Sequence, residues 1–338
     1  MEFTKVGLIV NPTAGLGEER NLAVAGAAIA ALSPARVLTG PGNLGADATP
    51  HAEIIPIPEV RGRAATQHLA SGLIAAGVDV LVVIGGDGTL ADVAFILVNA
   101  GSSCPILGIG AGSTNVGDLI ICRADAVEQV REARLWVEPV NALVAGCNGQ
   151  DLALAFNDVV IGATIVGTLH GNVCDLDAAA FVAGERKVGH PQPVGSAMSV
   201  VTKVANGRTV EVARGAAVGT LIAGFANYEC FYGKAIVGGV CLTDLTRQPA
   251  GCLVSDQPLV RTVLSVEELR AVEPLHSAYI SLNQDEVIHT TGIGPPAFLI
   301  ADGNPLKALL PEDIVSIRVR PQAVQVLRLQ AGENHGSS

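Results

Sequence analysis

Two hydrophobic patterns follow one another along this chain, and the change between them comes near Arg134. Before it, continuous apolar runs alternate with stretches whose apolar residues recur every three or four positions. Such runs predict strands buried on both faces of a parallel sheet, and the helical spacing predicts helices that connect them. Beyond it, short runs with period-two alternation lie between turn residues, which predicts antiparallel strands. We therefore predict an α/β fold with a parallel-sheet domain, residues 1–134, and a β-rich, β-sandwich-like domain, residues 135–330.

The first part repeats a strand followed by a helix, which predicts right-handed crossovers in one sheet. Its predicted strands are Val6–Val10, Ile54–Ile57, Val80–Ile84 and Pro105–Ile109. Apolar spacing predicts helices after three of them, marked by Leu22, Ala25, Ile29 and Leu32, by Ala65, Leu69 and Ile74, and by the run Thr89–Ala100.

The second part contains two clear hairpin signals. Asn206-Gly207 and Asp302-Gly303 each stand between alternating runs, and such pairs are typical of two-residue turns. Two further strands, Ile314–Arg320 and Ala323–Leu329, close the domain. We expect the two domains to pack closely with a cleft between them.

The segment Gly85-Gly86-Asp87-Gly88-Thr89 follows the buried run Val80–Ile84 and precedes a helix. A strand, a glycine turn and a helix start together place backbone N–H groups and a helix dipole where phosphate binds. Asp87 would repel phosphate, so it needs a reason to be there: a proton acceptor, a Mg²⁺ partner or a hydroxyl acceptor. The plainer alternative is a strand-to-helix turn with Asp87 as the helix cap.

Two other strands end in comparable turns. Asn11-Pro12-Thr13-Ala14-Gly15 follows the first strand, and Gly110-Ala111-Gly112-Ser113-Thr114-Asn115 follows the strand at 105–109. Ligands of α/β proteins bind at the carboxyl ends of the strands, so both turns are candidates for phosphate contact. Ordinary loop chemistry remains the alternative for each.

A polar pair, Asn157-Asp158, interrupts an apolar run from Leu152 to Ile161. Buried polar side chains cost stability unless they find partners. The pair either bends the strand and bonds to nearby backbone, or it enters the cleft and binds the adenine or ribose hydroxyls of a substrate.

Charge and cysteine usage limit the partners. The net charge of −11 argues against nucleic acid or an anionic membrane, and it requires that a phosphate site be built from backbone N–H groups and a few basic residues. No His/Cys/Asp spacing predicts a protein-bound metal. Seven scattered cysteines without a Cys-x-x-Cys pair indicate reduced thiols, and with no signal peptide or membrane span in the sequence we expect a soluble, cytoplasmic protein.

Four segments carry a family resemblance through their order: Val10–Gly15, Gly85–Thr89, Asn157-Asp158 and Ile300–Gly303. They resemble the ATP-NAD kinase superfamily, which also contains the diacylglycerol and sphingosine kinase catalytic domains. The chain looks closest to the branch typified by the acetoin-catabolism protein X. The resemblance implies a homo-oligomer, a dimer or a tetramer, with nucleotide small molecules as partners.

The resemblance also implies an activity, namely phosphoryl transfer from ATP with Mg²⁺ to a hydroxyl. The acceptor that the resemblance implies first is the ribose 2′-OH of NAD, and this reaction would produce NADP. Asp87 is the implied catalytic residue, and Asn157 and Asp158 the substrate-binding pair, although Asp158 stands where NAD kinases carry Glu. The implied phosphate-binding residues are Asn11, Gly15, Gly85, Gly86, Gly88, Thr89, Gly112 and Thr114.

Two alternatives stay open. The turn at 110–115 is similar to that of lipid kinases, so the acceptor could be a lipid or a small alcohol as in diacylglycerol kinases. The chain could also be a non-catalytic protein that binds NAD(H) or another nucleotide, because the glycine turn alone serves either purpose.

Overall fold

The computed structural model describes residues 2–112, 115, 117–170, 172–225, 248–259, 266–267 and 274–330. It divides the chain into two compact units, one of Met1–Asn141 with Gln322–Ser338 and one of Ala142–Pro321. Residues 322–338 thus group with the N-terminal residues, whereas the predicted ranges, 1–134 and 135–330, assign the end of the chain to the second domain. Those domain ranges stay a prediction.

The first unit alternates strands and helices as its hydrophobic pattern predicts. Its elements are β1 (Lys5–Val10), α1 (Glu18–Leu32), β2 (Arg36–Thr39), β3 (Glu53–Ile54), α2 (Gly62–Ala75), β4 (Val80–Gly85), α3 (Asp87–Asn99), β5 (Ile106–Gly110), β6 (Ile120–Arg123) and α4 (Gln129–Glu132). Two further strands contain the unit boundaries, β7 (Arg134–Cys147) and β20 (Val315–Gln330).

A parallel sheet forms the centre of this unit, with the strand order β3-β2-β1-β4-β5 and β6 beside β5. The register is set by pairs such as Val6 with Val80 and Leu81 with Ile106. Every residue of β4 is buried, as expected for a central parallel strand that carries a continuous apolar run. Helix α3 buries one apolar stripe, formed by Leu90, Ala91, Val93, Ala94 and Leu97.

The second unit is antiparallel. Its elements are β8 (Gln150–Ala155), β9 (Asp158–Gly162), β10 (Thr164–Leu169), β11 (Asn172–Asp177), α5 (Ala178–Val182), β12 (Val200–Ala205), β13 (Arg208–Arg214), β14 (Thr220–Phe225), β15 (Ala250–Ser255), β16 (Ser277–Leu282), β17 (Val287–Thr291), β18 (Phe298–Ala301) and β19 (Asn304–Ala308).

One six-stranded sheet of this unit has the order β16-β15-β14-β9-β18-β19, and a second set of strands runs β13-β12-β17-β20. A single core cluster takes alternate residues from both, including Ile161, Leu221 and Leu299 from the first and Val201 and Ile317 from the second. Two sheets that share one core confirm the predicted β-rich, sandwich-like architecture.

Both predicted hairpins are confirmed. Ala205 pairs with Arg208 and Ala301 with Asn304, so each connection is a two-residue turn. The first residue of each turn has positive φ, 50° at Asn206 and 45° at Asp302, and glycine follows in both. This is the conformation that two-residue hairpin turns require.

Three details differ from the sequence prediction. The strands at 314–320 and 323–329 are one strand, β20, in which Gln322 alone adopts a positive φ of 47°. The strand at 54–57 shrinks to Glu53–Ile54. Helix α3 begins at Asp87 and not at Thr89, because the helical turn already includes Gly88. In the part of the chain that the structure describes, no helix is long and apolar enough to cross a membrane.

Candidate functional site

Three strand ends of the first unit meet at the Gly85–Thr89 turn. The Asn11 N–H after β1 donates to the Ile84 carbonyl at 2.9 Å, and the Ala111 N–H after β5 donates to the Gly85 carbonyl at 2.8 Å. These bonds continue the parallel ladders past the ends of the strands. The turns after β1, β4 and β5 therefore lie side by side at the carboxyl edge of the sheet, where α/β proteins bind ligands.

Glycine is required where two of these turns touch. A Cβ atom on Gly112 would lie 2.8 Å from the Cα of Gly86, and one on Gly86 would lie 3.2 Å from the Cα of Gly112. No side chain fits at the first of these distances, since the obstacle is backbone that cannot rotate away. Gly86 also precedes Asp87, the first residue of α3, so the contact lies at the N-terminus of that helix.

Side chains tie the first two turns together. The Asn11 Nδ2 donates to Thr89 Oγ1 at 2.8 Å, and its Oδ1 accepts from the Thr13 N–H at 3.0 Å. Asn21, fully buried in α1, donates through Nδ2 to the carbonyls of Asn11 and Ala14 at 3.0 and 3.3 Å. These two bonds from α1 fix the loop that contains Gly15, while Gly15 itself is exposed.

Asp87 joins the turn after β4 to the segment after β5. Its Oδ1 accepts the backbone N–H of Gly117 at 2.7 Å. Asn115, at a positive φ of 52°, closes the same segment on itself, because its Oδ1 accepts from the Gly112 N–H and its Nδ2 donates to the Gly112 carbonyl, both at 2.7 Å. The carboxylate at the helix start therefore also has a structural contact.

The first four N–H groups of a helix have no partner within the helix, and the helix dipole makes this end positive. The Thr89 and Leu90 N–H groups donate back to the Gly86 carbonyl, at 3.0 and 3.2 Å. In the part of the chain that the structure describes, no group of three or more His, Cys, Asp or Glu side chains could hold a metal ion. The turn thus lies at the positive end of α3, an environment that favours an anion.

The predicted substrate pair lies in the second unit, at the bend between two strands. Strand β8 ends at Ala155 and β9 begins at Asp158, so Phe156 and Asn157 connect two strands of different sheets. Both polar side chains are buried, Asn157 to 1% exposure and Asp158 to 6%. This bend agrees with one of the two alternatives predicted for the pair, whereas binding of a substrate by the pair stays a prediction.

Comparison with known proteins gives two kinds of sequence match. Residues 5–120 match the family model of the diacylglycerol kinase catalytic domain. The chain is also 31% identical, over 255 residues, to an uncharacterized protein of Archaeoglobus fulgidus, an alignment that covers 75% of this chain and 76% of that protein. The chain therefore belongs to the same family as this archaeal protein, and its residues 5–120 match a diacylglycerol kinase catalytic domain.

Solved structures agree with this family at the level of fold. Two solved structures, each described as a putative diacylglycerol kinase from Bacillus anthracis str. Sterne, align with a TM-score of 0.51 at 16% identity. One alignment covers 96% of this chain and 97% of the other, and the second covers 97% and 99%. The family model confirms the predicted catalytic domain over residues 5–120, and the solved structures confirm the fold, while the acetoin-catabolism branch stays a prediction.

Within the kinase domain, the structure brings together five of the predicted phosphate-binding residues, namely Asn11, Gly85, Gly86, Thr89 and Gly112, with Asp87 beside them. Gly88 lies in the first turn of α3, and Gly15 lies in the loop after β1. Thr114 is outside the described residues. Asn157 and Asp158 belong to the second unit, where they contact Asp302.

Three residues that organise these segments were not among the predicted site residues: Asn21, Asn115 and Asp302. Asn21 stands at a buried helical position without any local signal of its contact with the loop before it. Asn115 was visible as the last residue of a glycine turn, and asparagine is common at positive φ. Asp302 was predicted as a turn residue only, and its second contact depends on a pairing across 144 to 146 residues.

Proposed function

We propose that this chain transfers the terminal phosphoryl group of ATP to a hydroxyl of a lipid or small alcohol, in the manner of a diacylglycerol kinase. The observation that carries the proposal is the Gly85–Thr89 turn, which ends a buried strand and begins α3 inside the matched kinase domain. The glycine contact between residues 86 and 112 supports it, because glycine at both positions lets two backbone segments approach each other closely at the start of α3.

The phosphates of ATP would lie against this turn. Gly86 and Gly88 leave room for phosphate oxygens near the start of α3, where the helix dipole favours negative charge. Asn11 and Thr89, joined by their 2.8 Å hydrogen bond, would fix the first loop beside the phosphates, with Gly15 and Gly112 at its margins. The net charge of −11 makes such local backbone recognition necessary.

Asp87 would orient the acceptor hydroxyl and take its proton as the oxygen attacks the γ-phosphorus and ADP leaves. Phosphoryl transfer depends mainly on such positioning and on charge stabilisation. Mg²⁺ needs only one or two protein carboxylates beside the phosphates, so Asp87 fits as its protein ligand. When bound with ATP, the ion neutralises phosphate charge. The contact from the Gly117 N–H holds the carboxylate in one orientation for this role.

A second candidate acceptor is NAD, and one observation in the second unit is compatible with it. The buried Asn157 Oδ1 has no hydrogen-bond partner among the residues that the structure describes. A ribose or an adenine edge supplies donors for such an oxygen, and Asp158 is next to it in the chain. The family match and the fold comparisons favour the lipid-type acceptor, so NAD takes second place.

The proposal is tested by calorimetry and by an acceptor panel on one preparation. We expect ATP with Mg²⁺ to bind the wild type, and ADP to form faster when a short-chain diacylglycerol is present. The variant Gly86→Val should bind ATP at least about tenfold more weakly, because its side chain would strike Gly112 in the proposed phosphate site. ADP formation stimulated only by NAD would select the second candidate, and nucleotide binding without transfer to any acceptor would indicate a sensor.

A further inference from the structure

The bend between β8 and β9 is held by one carboxylate. Asp302 Oδ2 accepts the Phe156 N–H at 2.8 Å, and its Oδ1 accepts the N–H groups of Asn157 at 2.8 Å and Asp158 at 3.1 Å. The Asp302 N–H donates in turn to the Asp158 carbonyl at 3.0 Å. Three successive backbone donors thus converge on a single side chain at the point where the chain changes sheets.

This arrangement answers a local problem of the bend. Backbone N–H groups that leave a sheet lose their ladder partners, and buried donors must find others. A carboxylate is the side chain best suited to accept several N–H bonds at once, and its charge strengthens each bond. The three bonds fix the backbone on both sides of Asn157, so its side chain leaves the bend in one direction.

The turn conformation alone does not explain an aspartate at this position. Asn206-Gly207 forms the same kind of two-residue turn in the same unit, with φ values of 50° and 72°, against 45° and 76° at Asp302-Gly303. Asparagine is sufficient for the turn at 206–207, where the described contacts include no comparable set of backbone N–H bonds to one side chain. We call the three bonds from 156–158 to Asp302 the clamp. The carboxylate at 302 is therefore explained by its contacts with 156–158.

The Asn157 side chain supplies an independent observation. It is 1% exposed, and its Oδ1 has no hydrogen-bond partner within the described part of the chain. An unpaired buried acceptor is costly, and a ligand that donates a hydrogen bond would remove the cost. The chemistry that matches is a hydroxyl or an amine, which a glycerol backbone and a ribose both offer.

We propose that Asp302 is a positioning residue that fixes the bend at 156–158 and thereby directs the Asn157 carboxamide to a hydrogen-bond donor of the acceptor substrate. The inference rests on the proposed kinase function, because it assigns Asn157 to the acceptor and not to ATP. It predicts that Asp302 affects acceptor recognition through Asn157 and leaves ATP recognition unchanged.

The test compares Asp302→Asn and Asp302→Ala with the matched control Asn206→Ala. Both alanine variants strain a two-residue turn at positive φ, but only the change at 302 removes the clamp. Asp302→Asn keeps a residue that tolerates this φ and one acceptor oxygen. Hydrogen exchange on the full chain reports the amides at 156–158, and calorimetry reports the affinities for ATP, a short-chain diacylglycerol and NAD.

We expect exchange at 156–158 to rise roughly tenfold to a hundredfold in Asp302→Ala, less in Asp302→Asn, and not in Asn206→Ala. Affinity for whichever acceptor binds should fall about tenfold in Asp302→Ala, with partial recovery in Asp302→Asn and unchanged ATP affinity. In an Asn157→Ala background, the change at 302 should have no further effect on acceptor affinity, since it acts through Asn157.

Several results would overturn the inference. Unchanged hydrogen exchange at 156–158 in Asp302→Ala would show that Asp302 does not fix the bend. Unchanged acceptor affinity in the same variant would show that Asp302 has no role in acceptor recognition. Equal losses in the Asn157 and wild-type backgrounds show that Asp302 acts by another route. A wild type that fails to bind ATP contradicts the proposed kinase function instead, and the exchange measurement still decides the clamp. Whether diacylglycerol or NAD binds identifies the acceptor that supplies the hydrogen-bond donor to Asn157.

Discussion

At the residue scale, Asp87 combines a contact with backbone and a position suited to chemistry. Its carboxylate receives the Gly117 N–H at 2.7 Å and stands at the first position of α3. An asparagine in its place could still accept that N–H bond through its carbonyl oxygen, but it could neither take a proton nor carry charge. The two functions of Asp87 can therefore be separated by substitution.

Asp87→Asn should lower turnover by about 10²-fold or more, the effect of a lost general base, while the unfolding free energy stays close to that of the wild type. Asp87→Ala should lower turnover similarly and also lose about 1–2 kcal/mol of stability, because the Gly117 N–H loses its partner. Kinetics and urea denaturation on the three proteins check this. Wild-type turnover in the asparagine variant would exclude Asp87 as a catalytic residue.

Gly112 tests the contact between the two glycine turns. Gly112→Ala should cost about 1–3 kcal/mol, because its Cβ would lie 2.8 Å from the Gly86 Cα, and ATP should bind more weakly. Gly26→Ala, within α1, is the control, since the nearest atom to its Cβ, the Ala48 carbonyl oxygen, is 3.6 Å away, and it should stabilise the protein by about 0.5–1 kcal/mol. Denaturation and ATP titration of both variants measure these effects. A Gly112→Ala variant with the stability and ATP affinity of the wild type would contradict the described packing.

Much of the residue-scale site was predictable, because its signals are local. Asn11, Gly86 and Gly112 each follow an apolar run, and parallel strands bring such positions to one edge. The contacts of Asn21 and Asp302 were not predictable from pattern, since each depends on which segment folds back against a buried polar side chain. The helix start at Asp87 was placed two residues late because Gly88 has low helix propensity.

At the element scale, the pair of helices α2 and α3 contains an unusual carboxylate. The Arg63 Nε on α2 lies 2.6 Å from the Asp92 Oδ1 on α3, and the Asp92 side chain is 13% exposed. Burial raises the pKa of Asp92 to about 6, and the attraction of Arg63 opposes this rise without cancelling it. The ionised form of Asp92 therefore costs stability at neutral pH.

The sign of the pH dependence follows from this shift. Between about pH 4 and pH 6 the folded chain holds a proton at Asp92 that the unfolded chain releases, so stability falls as pH rises. Because Asp92→Asn cannot titrate, the stability of the wild type minus that of the variant should fall by at most about 3 kcal/mol from pH 4 to pH 7. Urea denaturation at several pH values measures it, and a difference independent of pH would contradict the raised pKa.

Element types were predictable where hydrophobic period and length agreed, as in β4, α3 and the two hairpins. The errors share a cause, which is that a change of direction leaves no mark on an apolar pattern. The run Leu152–Ile161 reads as one strand but bends at Phe156 and Asn157. Conversely, Pro321 and Gln322 suggest a break that β20 passes through without ending.

At the scale of the whole molecule, the composition matches the fold. Aromatic residues are only 3% of the chain, so Ala, Val, Leu and Ile fill both cores. The kinase family and the α/β plus antiparallel architecture were predictable from the order of motifs along the chain. The acceptor was not, because the Gly85–Thr89 turn is common to kinases of lipids and of NAD. Oligomeric state and a cytoplasmic location stay predictions.

The reactivity of two cysteine thiols tests whether the folded chain shields them from reagents. Cys104, Cys122, Cys147 and Cys174 form no disulfide, while Cys230 and Cys241 lie outside the described residues. Burial, with a smaller contribution from Asp79, raises the pKa of Cys104 to about 12; burial and Asp125 raise that of Cys122 to about 11. Since thiolates are the reactive form, these two should react with a thiol reagent at pH 8 only after unfolding. Mass spectrometry locates the label, and rapid labelling of either in the native protein would contradict their raised pKa values.

The most direct measurement for the central claim follows the γ-phosphate of labelled ATP. The wild type, Asp87→Asn and a no-enzyme control are incubated with Mg²⁺ and a short-chain diacylglycerol, NAD or neither. The account predicts label in the lipid product with the wild type and about 10²-fold less with Asp87→Asn. Folded wild type that binds ATP but transfers label to no acceptor, or to NAD alone, would contradict the proposal of a lipid-type kinase.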